Sequence, residues 1–228
     1  MKIAKLKYDI PYSLLKWSAL FFMTYDHILR KIFNLASIDI LMFSGRFAFP
    51  IFAFMIARNL SNKNIFQKYL NRLIPFAILT IPIDLIYYPE YRYLNIMFTF
   101  IASISLLWGL KLSTDIKNKP LKCTSTLLLI FATITFGRCF DYGTVGLWLI
   151  PAVYLFIKKQ SWQTFALALI PTFLIMPSFL FAGLITIFMA ALLLSTPIPS
   201  AIRSTFKKTG WLYYAYFPIH KLIIALIA

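Results

Sequence analysis

Long apolar segments, separated by short loops, are the feature that most constrains this chain. Nine such segments can be counted, and residues 161–196 contain no charged residue at all. A helix of about 20 apolar residues crosses the hydrocarbon core of a bilayer. Inside lipid, each backbone N–H and C=O must be hydrogen-bonded within the protein, and a helix achieves this with its own residues. The sequence therefore predicts an all-α fold, a polytopic transmembrane helix bundle.

The predicted spans leave no loop long enough to form a soluble domain. Hydrophobic residues make up 61% of the chain, whereas soluble domains are nearer 45–50% apolar. We therefore expect residues 1–228 to form a single integral-membrane domain. The boundary at residues 176–178, between the seventh and eighth segments, is the least marked. The nine segments are residues 13–31, 40–58, 73–89, 93–111, 121–137, 143–157, 162–177, 179–196 and 211–227.

The basic residues predict the orientation of the bundle, because cytoplasmic loops carry an excess of Lys and Arg. If the N-terminus is inside, sixteen of the 23 basic residues lie on the inner side and four on the outer side. This split predicts nine spans with the N-terminus in and the C-terminus out. It also accounts for the net charge of +16 without nucleic-acid binding. The four outer residues are Arg30, Lys31, Arg92 and Arg138, and Lys16, Arg46 and Lys221 fall within spans.

Several polar side chains fall inside or beside the spans, beginning with Asp26 and His27 in "FFMTYDHILRKIF". Burying one charge in hydrocarbon costs about 2.5–3.5 kcal/mol on insertion scales, so such groups usually pair or carry function. The predicted orientation brings these groups to one depth near the outer surface, which indicates one outward-facing polar site. Its predicted members are Asp26, His27, Arg46, Asp84, Asn95, Asp141 and Tyr142.

Structural interpretations of the same residues remain open. Asp26 and Arg46 could form an ion pair that pins the first two helices together. Asn95 begins a stripe with Thr99 and Ser103 that is also typical of contacts between membrane helices. Asp84 could cap the next turn of the chain, and Lys16 and Lys221 could extend their side chains to the membrane interface. His220, on the last helix, could be structural or functional.

Two further features concern the first two helices. Lys16, Met23 and His27 share one face of the first helix, which could line a path from the inner side to the histidine. Pro50 cannot donate a hydrogen bond to the carbonyl of Arg46, so we expect the second helix to bend or loosen there.

The chemistry of these groups admits two functions. A histidine beside a carboxylate suits general-base catalysis, and an arginine suits binding of a carbonyl, an oxyanion or a phosphate. Cys123 and Cys139 fit no metal-site spacing, and hydrolase and nucleotide-binding motifs are not found in the sequence. Acyl transfer from a carrier and proton-coupled transport fit the residues almost equally well.

Six segments of the chain carry a resemblance to a known family: "LLKWSALFFMTYDHI", "SGRFAFPIFAFMIA", "KYLNRLIPFAILTIPID", "YLNIMFTF", "DYGTVG" and "YYAYFPIHKLI". Together they resemble the TraX family, whose type member is associated with N-terminal acetylation of conjugative pilin. The family is similar to transmembrane acyltransferases that use a histidine near an arginine. The resemblance implies that His27 is the base, Asp26 its partner and Arg46 a contact of the acyl group or its carrier.

The resemblance also implies an acyl donor, an acceptor and a location. Acetyl-CoA would be the donor, and Asp84, Asn95, Asp141 and Tyr142 would line the acceptor side. From their positions in the first and last spans, Lys16 and His220 are further candidates for substrate binding. The acceptor would be an exported protein, such as a pilin, or a glycan, reached from the bacterial cytoplasmic (inner) membrane, where lipids surround the bundle. A proton-coupled transporter or flippase, or a non-catalytic membrane assembly protein, remains the alternative.

Overall fold

A computed structural model describes residues 12–33, 45–62, 65–87, 93–175, 179–194 and 210–228. Within these ranges the regular structure is helical, which confirms the predicted all-α class. The described helices are α1 (Tyr12–Lys31), α2 (Ala48–Asn62), α3 (Phe66–Tyr87), α4 (Ile96–Asp115), α5 (Lys119–Phe136), α6 (Gly143–Lys159), α7 (Trp162–Leu174), α8 (Phe179–Leu194) and α9 (Gly210–Ile227), with a short 3₁₀ turn at Gly137–Cys139.

Each predicted apolar segment overlaps one of these helices, although α3 begins seven residues before its segment and α2 and α4 end four residues after theirs. In the described ranges, α3, α4 and the stretch Lys119–Cys139 are long and apolar enough to cross a membrane. Four shorter apolar helices lie within α2, α7, α8 and α9. Some predictions lie outside the described residues: the segment start at 40–44, the boundary at 176–178, and the basic residues Lys2, Lys5, Lys7, Lys63, Arg92, Arg203, Lys207 and Lys208.

Helix α6 lies at the centre of the packing, in contact with α2, α4 and α7. Its side chains Leu149, Ile150 and Val153 are fully buried, as are Phe49 and Ile51 of α2. Helix α9 packs mainly on α3 and also touches α1. Because lipid tails are as apolar as leucine, close packing of this kind is what holds helices together in a bilayer.

Helix α5 lies at the edge of the bundle and presents apolar side chains outward. Leu127, Leu128 and Phe131 have exposed fractions of 59%, 61% and 65% respectively. In a soluble protein an apolar face of this extent would be a liability. On a membrane protein, by contrast, it is the surface that contacts lipid.

The start of α4 is tied to the segment that precedes α6. Leu94 and Phe140 form an isolated parallel bridge, in which the Leu94 amide donates to the Cys139 carbonyl at 2.7 Å. The Asp141 amide donates to the Leu94 carbonyl at 2.9 Å. These bonds place residues 141–142 beside Asn95, the residue that caps α4.

The stripe on α4 acts as the predicted contact between helices. The Thr99 hydroxyl donates to the Asp141 carbonyl at 2.9 Å. The Ser103 hydroxyl donates to the Leu147 carbonyl at 2.7 Å. Asn95 instead serves as the cap, accepting from the Met97 amide at 2.9 Å. Thr99 and Ser103 therefore join α4 to α6 and to the segment just before it, and Asn95 caps the start of α4.

The chain loosens before α2, close to the predicted position. Gly45 and Arg46 are helical, Phe47 lies in a turn, and the regular helix begins at Ala48. Pro50 therefore sits in the first turn of α2, where its missing N–H costs no helical hydrogen bond. The interruption separates Arg46 from the body of α2.

Packing at the centre of the bundle predicts a difference between two leucines. Leu149→Ala, at a fully buried position, should lower the free energy of unfolding by about 2 kcal/mol. We expect the low end of the usual range because lipid solvates leucine and alanine alike. Leu128→Ala, on the exposed face of α5, should change it by less than about 0.5 kcal/mol. Denaturation in detergent micelles measures both, and equal effects would contradict this packing order.

Candidate functional site

Seven residues predicted from the sequence line a single cavity of about 390 Å³, here called the polar cavity. They come from α1, the turn before α2, the end of α3, the start of α4 and the segment before α6. Arg30 of α1 and Lys221 of α9 complete its charged wall. The seven predicted residues are Asp26, His27, Arg46, Asp84, Asn95, Asp141 and Tyr142.

Asp26 is paired within its own helix. The Arg30 Nε donates to Asp26 Oδ1 at 2.9 Å, an i,i+4 ion pair. The sequence leaves an Asp26–Arg46 ion pair open and the resemblance implies that Asp26 is the partner of His27, whereas the ion pair that the described structure shows for Asp26 is with Arg30, a residue counted on the outer side. Because one helical turn separates Asp26 from Arg30, their side chains meet on the surface of α1. His27 points to a different partner.

Gly45 brings the turn before α2 against Asp26. A Cβ atom at Gly45 would overlap Asp26 Cβ and Cγ. Only glycine allows the backbone of this turn to approach α1 so closely. The close approach holds Arg46 next to the carboxylate of Asp26, with both residues in the wall of the polar cavity.

A second charged group joins α3, α4 and α9. The Lys221 ammonium donates to Asp84 Oδ1 at 2.5 Å, and the Asn95 amide donates to Asp84 Oδ2 at 2.7 Å. Lys221 is only 8% exposed, so the interpretation that it extends to the interface is wrong. Both carboxylate oxygens of Asp84 are hydrogen-bonded in this network, whereas the turn that Asp84 is predicted to cap lies outside the described residues.

The Arg46 guanidinium is oriented at the wall of the polar cavity. Its Nη1 donates to the Ile175 carbonyl at 3.3 Å, a bond that orients the guanidinium. A guanidinium has five N–H donors in a fixed plane. Arg46 also lines the polar cavity. It is therefore oriented by the backbone at the end of α7 and can bind a carbonyl oxygen or an oxyanion.

Tyr142 adopts an unusual backbone conformation at the cavity wall. Its φ of 64° lies in the left-handed region, which is rare and costly for a bulky residue. Its ring stacks on Phe49 at a centroid distance of 4.2 Å, which offsets part of that cost. Burial, together with the neighbouring Asp141 carboxylate, raises the pKa of the Tyr142 phenol above its ordinary value. The phenol therefore stays protonated at neutral pH and can donate a hydrogen bond.

His27 is joined to His220 of α9. Its Nδ1 lies 2.7 Å from His220 Nε2. The two ring planes differ by 3° and their centroids are 4.9 Å apart. The Tyr87 hydroxyl donates to the His27 carbonyl at 3.0 Å. His220, a candidate for substrate binding from the sequence, lies behind His27 in the described structure and is only 5% exposed.

Lys16 does not line the polar cavity. In this it differs from most of the other residues that are predicted to bind substrate. It lines a neighbouring cavity of about 230 Å³, here called the tyrosine-lined cavity. The Lys16 ammonium lies 4.5 Å from the Tyr213 ring centroid. Further polar groups in that wall are Asn59, Tyr69, Arg72 and Tyr214.

The two cavities share part of their walls. Met23, Ile96 and Phe217 line both of them. Met23 lies between Lys16 and His27 on α1, as the sequence predicts for one helical face. The polar cavity and the tyrosine-lined cavity are therefore neighbours along α1, separated by three apolar side chains.

Some residues of the site have weak sequence signals. The four-residue spacing of Asp26 and Arg30 is by itself enough to predict an i,i+4 ion pair. The signal for Lys221 is that it follows the candidate residue His220 directly in the sequence. Tyr87 has no such signal, because tyrosines near span ends are common at membrane interfaces. Only the fold shows that its ring is fully buried and lies 5.7 Å from the His27 ring.

The Asp84–Lys221 pair predicts strong coupling between α3 and α9. Lys221→Met should destabilise the protein by about 3 kcal/mol, because it leaves a carboxylate in apolar surroundings without its cation. Asp84→Asn combined with Lys221→Met should cost clearly less than the sum of the single changes. Denaturation of all four proteins in detergent gives this double-mutant cycle. Strictly additive effects would contradict the pairing.

The close approach at Gly45 predicts a sensitive position. Gly45→Ala should destabilise the protein by about 1–3 kcal/mol, because its Cβ would overlap Asp26 and push the two segments apart. Gly183→Ala is the matched control, since a Cβ there meets nothing within 4 Å. We expect the control to be neutral or slightly stabilising, as alanine favours helix. Thermal unfolding in detergent compares the two, and a neutral Gly45→Ala would contradict the contact.

Comparison with known proteins gives one match. A family model described as TraX protein matches residues 12–228, nearly the whole chain. No curated protein and no solved structure is significantly similar to the chain. The family match and the apolar helices indicate a membrane protein related to conjugation.

Proposed function

The chain belongs to the TraX family, and from this membership and the polar cavity we propose that it is an integral-membrane acyltransferase. The reaction would be transfer of acetyl from acetyl-CoA to an exported acceptor, such as the N-terminal amine of a pilin. One observation carries the proposal: His27 and Arg46, from different segments, line the same cavity. A base and an oxyanion-binding cation in one cavity are the groups that acyl transfer needs.

We further propose nine spans in the bacterial inner membrane, with the N-terminus in and the C-terminus out. Contacts between helix ends support this alternation. The starts of α4 and α6 are joined through Leu94 and Phe140, and both would be outside. The ends of α2 and α6 are joined by Lys158, which donates to the Ser61 carbonyl at 2.7 Å, and both would be inside.

The tyrosine-lined cavity is the proposed route for the donor. Lys16 and Arg72 provide positive charge in its wall, and Asn59 and Tyr69 add hydrogen-bonding groups. Most of the remaining wall is apolar, as suits the pantetheine arm of a coenzyme A thioester. The arm would pass Met23 and Phe217, which border both cavities, and bring the thioester to His27 and Arg46.

The reaction is then a direct acyl transfer. The His27 ring accepts a proton from the acceptor amine as its nitrogen attacks the thioester carbonyl. Arg46 donates hydrogen bonds to the oxyanion that forms on that carbonyl oxygen. When the C–S bond breaks, the thiolate leaves, and the proton held by His27 passes to it. The products are an acetylated acceptor and free coenzyme A.

The other side of the polar cavity would bind the acceptor. The Asn95 amide, the Asp141 carboxylate and the Tyr142 phenol lie in its wall. A carboxylate attracts an ammonium group, and a phenol and an amide can orient a peptide or a sugar. The Asp84 oxygens are already engaged by Lys221 and Asn95, so Asp84 would act by holding those two residues in place.

The proposal predicts that acetyl transfer depends on His27 and Arg46. In liposomes given radiolabelled acetyl-CoA and a peptide with a free N-terminal amine, His27→Gln should lower transfer about 10²–10⁴-fold, the usual contribution of a general base. Arg46→Gln should lower it about 10²–10³-fold, because an oxyanion donor is lost. The readout is label on the peptide after separation from acetyl-CoA.

Arg138→Gln is the matched control for Arg46→Gln. Arg138 is exposed in the 3₁₀ turn and does not belong to the described wall of the polar cavity, so its replacement should leave transfer unchanged. Equal transfer by wild type and His27→Gln would overturn the role of His27. Uptake of the peptide into liposomes without any acyl donor would favour the transporter alternative instead.

A further inference from the structure

We propose that His220 is a positioning residue that fixes the tautomer of His27. With His220 as its partner, His27 carries its hydrogen on Nδ1, and Nε2 is the ring nitrogen that can accept a proton. The assignment of the tautomer follows from the hydrogen-bond pattern alone. Its consequence for catalysis rests on the proposed function, in which His27 is the base.

The two imidazole rings are bonded edge to edge. Their planes differ by 3° and their centroids are 4.9 Å apart. Rings stacked face to face cannot approach closer than about 3.5 Å at any pair of atoms. The His27 Nδ1 and His220 Nε2 atoms are 2.7 Å apart, so the bond lies close to the plane of both rings, as an N–H···N hydrogen bond requires.

A backbone carbonyl decides the direction of this bond. His220 Nδ1 lies 2.8 Å from the Tyr216 carbonyl oxygen. A carbonyl can only accept, so His220 Nδ1 must carry a hydrogen. In a neutral imidazole the other nitrogen is then an acceptor. With both rings neutral, His220 Nε2 accepts from His27 Nδ1–H, and His27 Nε2 holds a lone pair.

Neighbouring side chains hold His220 in this orientation. The Tyr216 ring stacks on it at 5.1 Å and 13°, and the Phe217 ring meets it edge-on at 5.7 Å. The Tyr216 hydroxyl is in turn bonded to the Thr24 hydroxyl of α1 at 2.6 Å. Contacts from both α1 and α9 therefore fix the His220 ring, and through it the His27 ring.

Two substitutions separate the hydrogen bond from the space that His220 fills. In His220→Gln, a side-chain oxygen can take the place of Nε2 and accept from His27 Nδ1–H. His220→Leu fills similar space but has no acceptor. The chain has two histidines, so in both variants His27 is the only histidine and its signals need no further assignment.

The first measurement does not depend on activity. With ¹⁵N-labelled histidine in lipid nanodiscs, ¹⁵N NMR distinguishes ring nitrogens that carry a hydrogen from those that do not. We expect hydrogen on Nδ1 of both rings in the wild type and on Nδ1 of His27 in His220→Gln. In His220→Leu, we expect a substantial share of His27 to carry its hydrogen on Nε2. A wild-type His27 with hydrogen on Nε2, or an unchanged tautomer in His220→Leu, would overturn the proposal.

The second measurement is acetyl transfer under the conditions above. His220→Leu should lower kcat about tenfold or more, with the KM for acetyl-CoA little changed, because the base is present in the wrong tautomer. His220→Gln should recover most of that loss. If both variants lose kcat equally while the NMR distinguishes them, the tautomer does not control the reaction and the positioning role fails. If the wild type transfers no acetyl, the proposed function fails, while the NMR result still decides the tautomer.

Discussion

Charged groups in apolar surroundings need partners close at hand, and the architecture of this protein follows from how that need is met. Loss of one partner from a buried pair costs about 3–5 kcal/mol, so the partners must be held together by the fold. Asp84 takes its partners from α4 and α9. Arg46 is bonded to the end of α7. The charges of the polar cavity thus fix the relative positions of helices that lie far apart in the sequence.

The backbone provides a second set of constraints around the cavity. The bridge between Leu94 and Phe140 joins two segments outside the helices. The Thr99 hydroxyl donates a hydrogen bond to the Asp141 carbonyl. Together they hold Tyr142 in a left-handed conformation that it would not adopt alone. Strain of this kind persists only where the surroundings over-determine it. The wall of the cavity is therefore rigid on the side formed by α4 and α6, where we place the acceptor.

The sequence identifies most of the cavity because charge in an apolar segment is conspicuous. Asp26, His27, Arg46 and Asp84 stand out for that reason, and the predicted alternation of spans assigns them to one depth. Pairing is harder to predict, since depth says nothing about the angular position of a side chain around its helix. Asp26 therefore bonds to Arg30 and not to His27, its neighbour in the sequence. Adjacent residues on a helix point about 100° apart, and they meet different partners.

In apolar surroundings, a second histidine is a more suitable partner for His27 than a carboxylate. A histidine oriented by a carboxylate brings a negative charge that must itself be neutralised in apolar surroundings. A histidine oriented by a second histidine can be neutral before the reaction, so no counter-ion is needed at the dyad. The carboxylate of Asp26 is then available to pair with Arg30, and that of Asp84 with Lys221. These two carboxylates are thereby neutralised without His27, whose ring can gain and lose a proton.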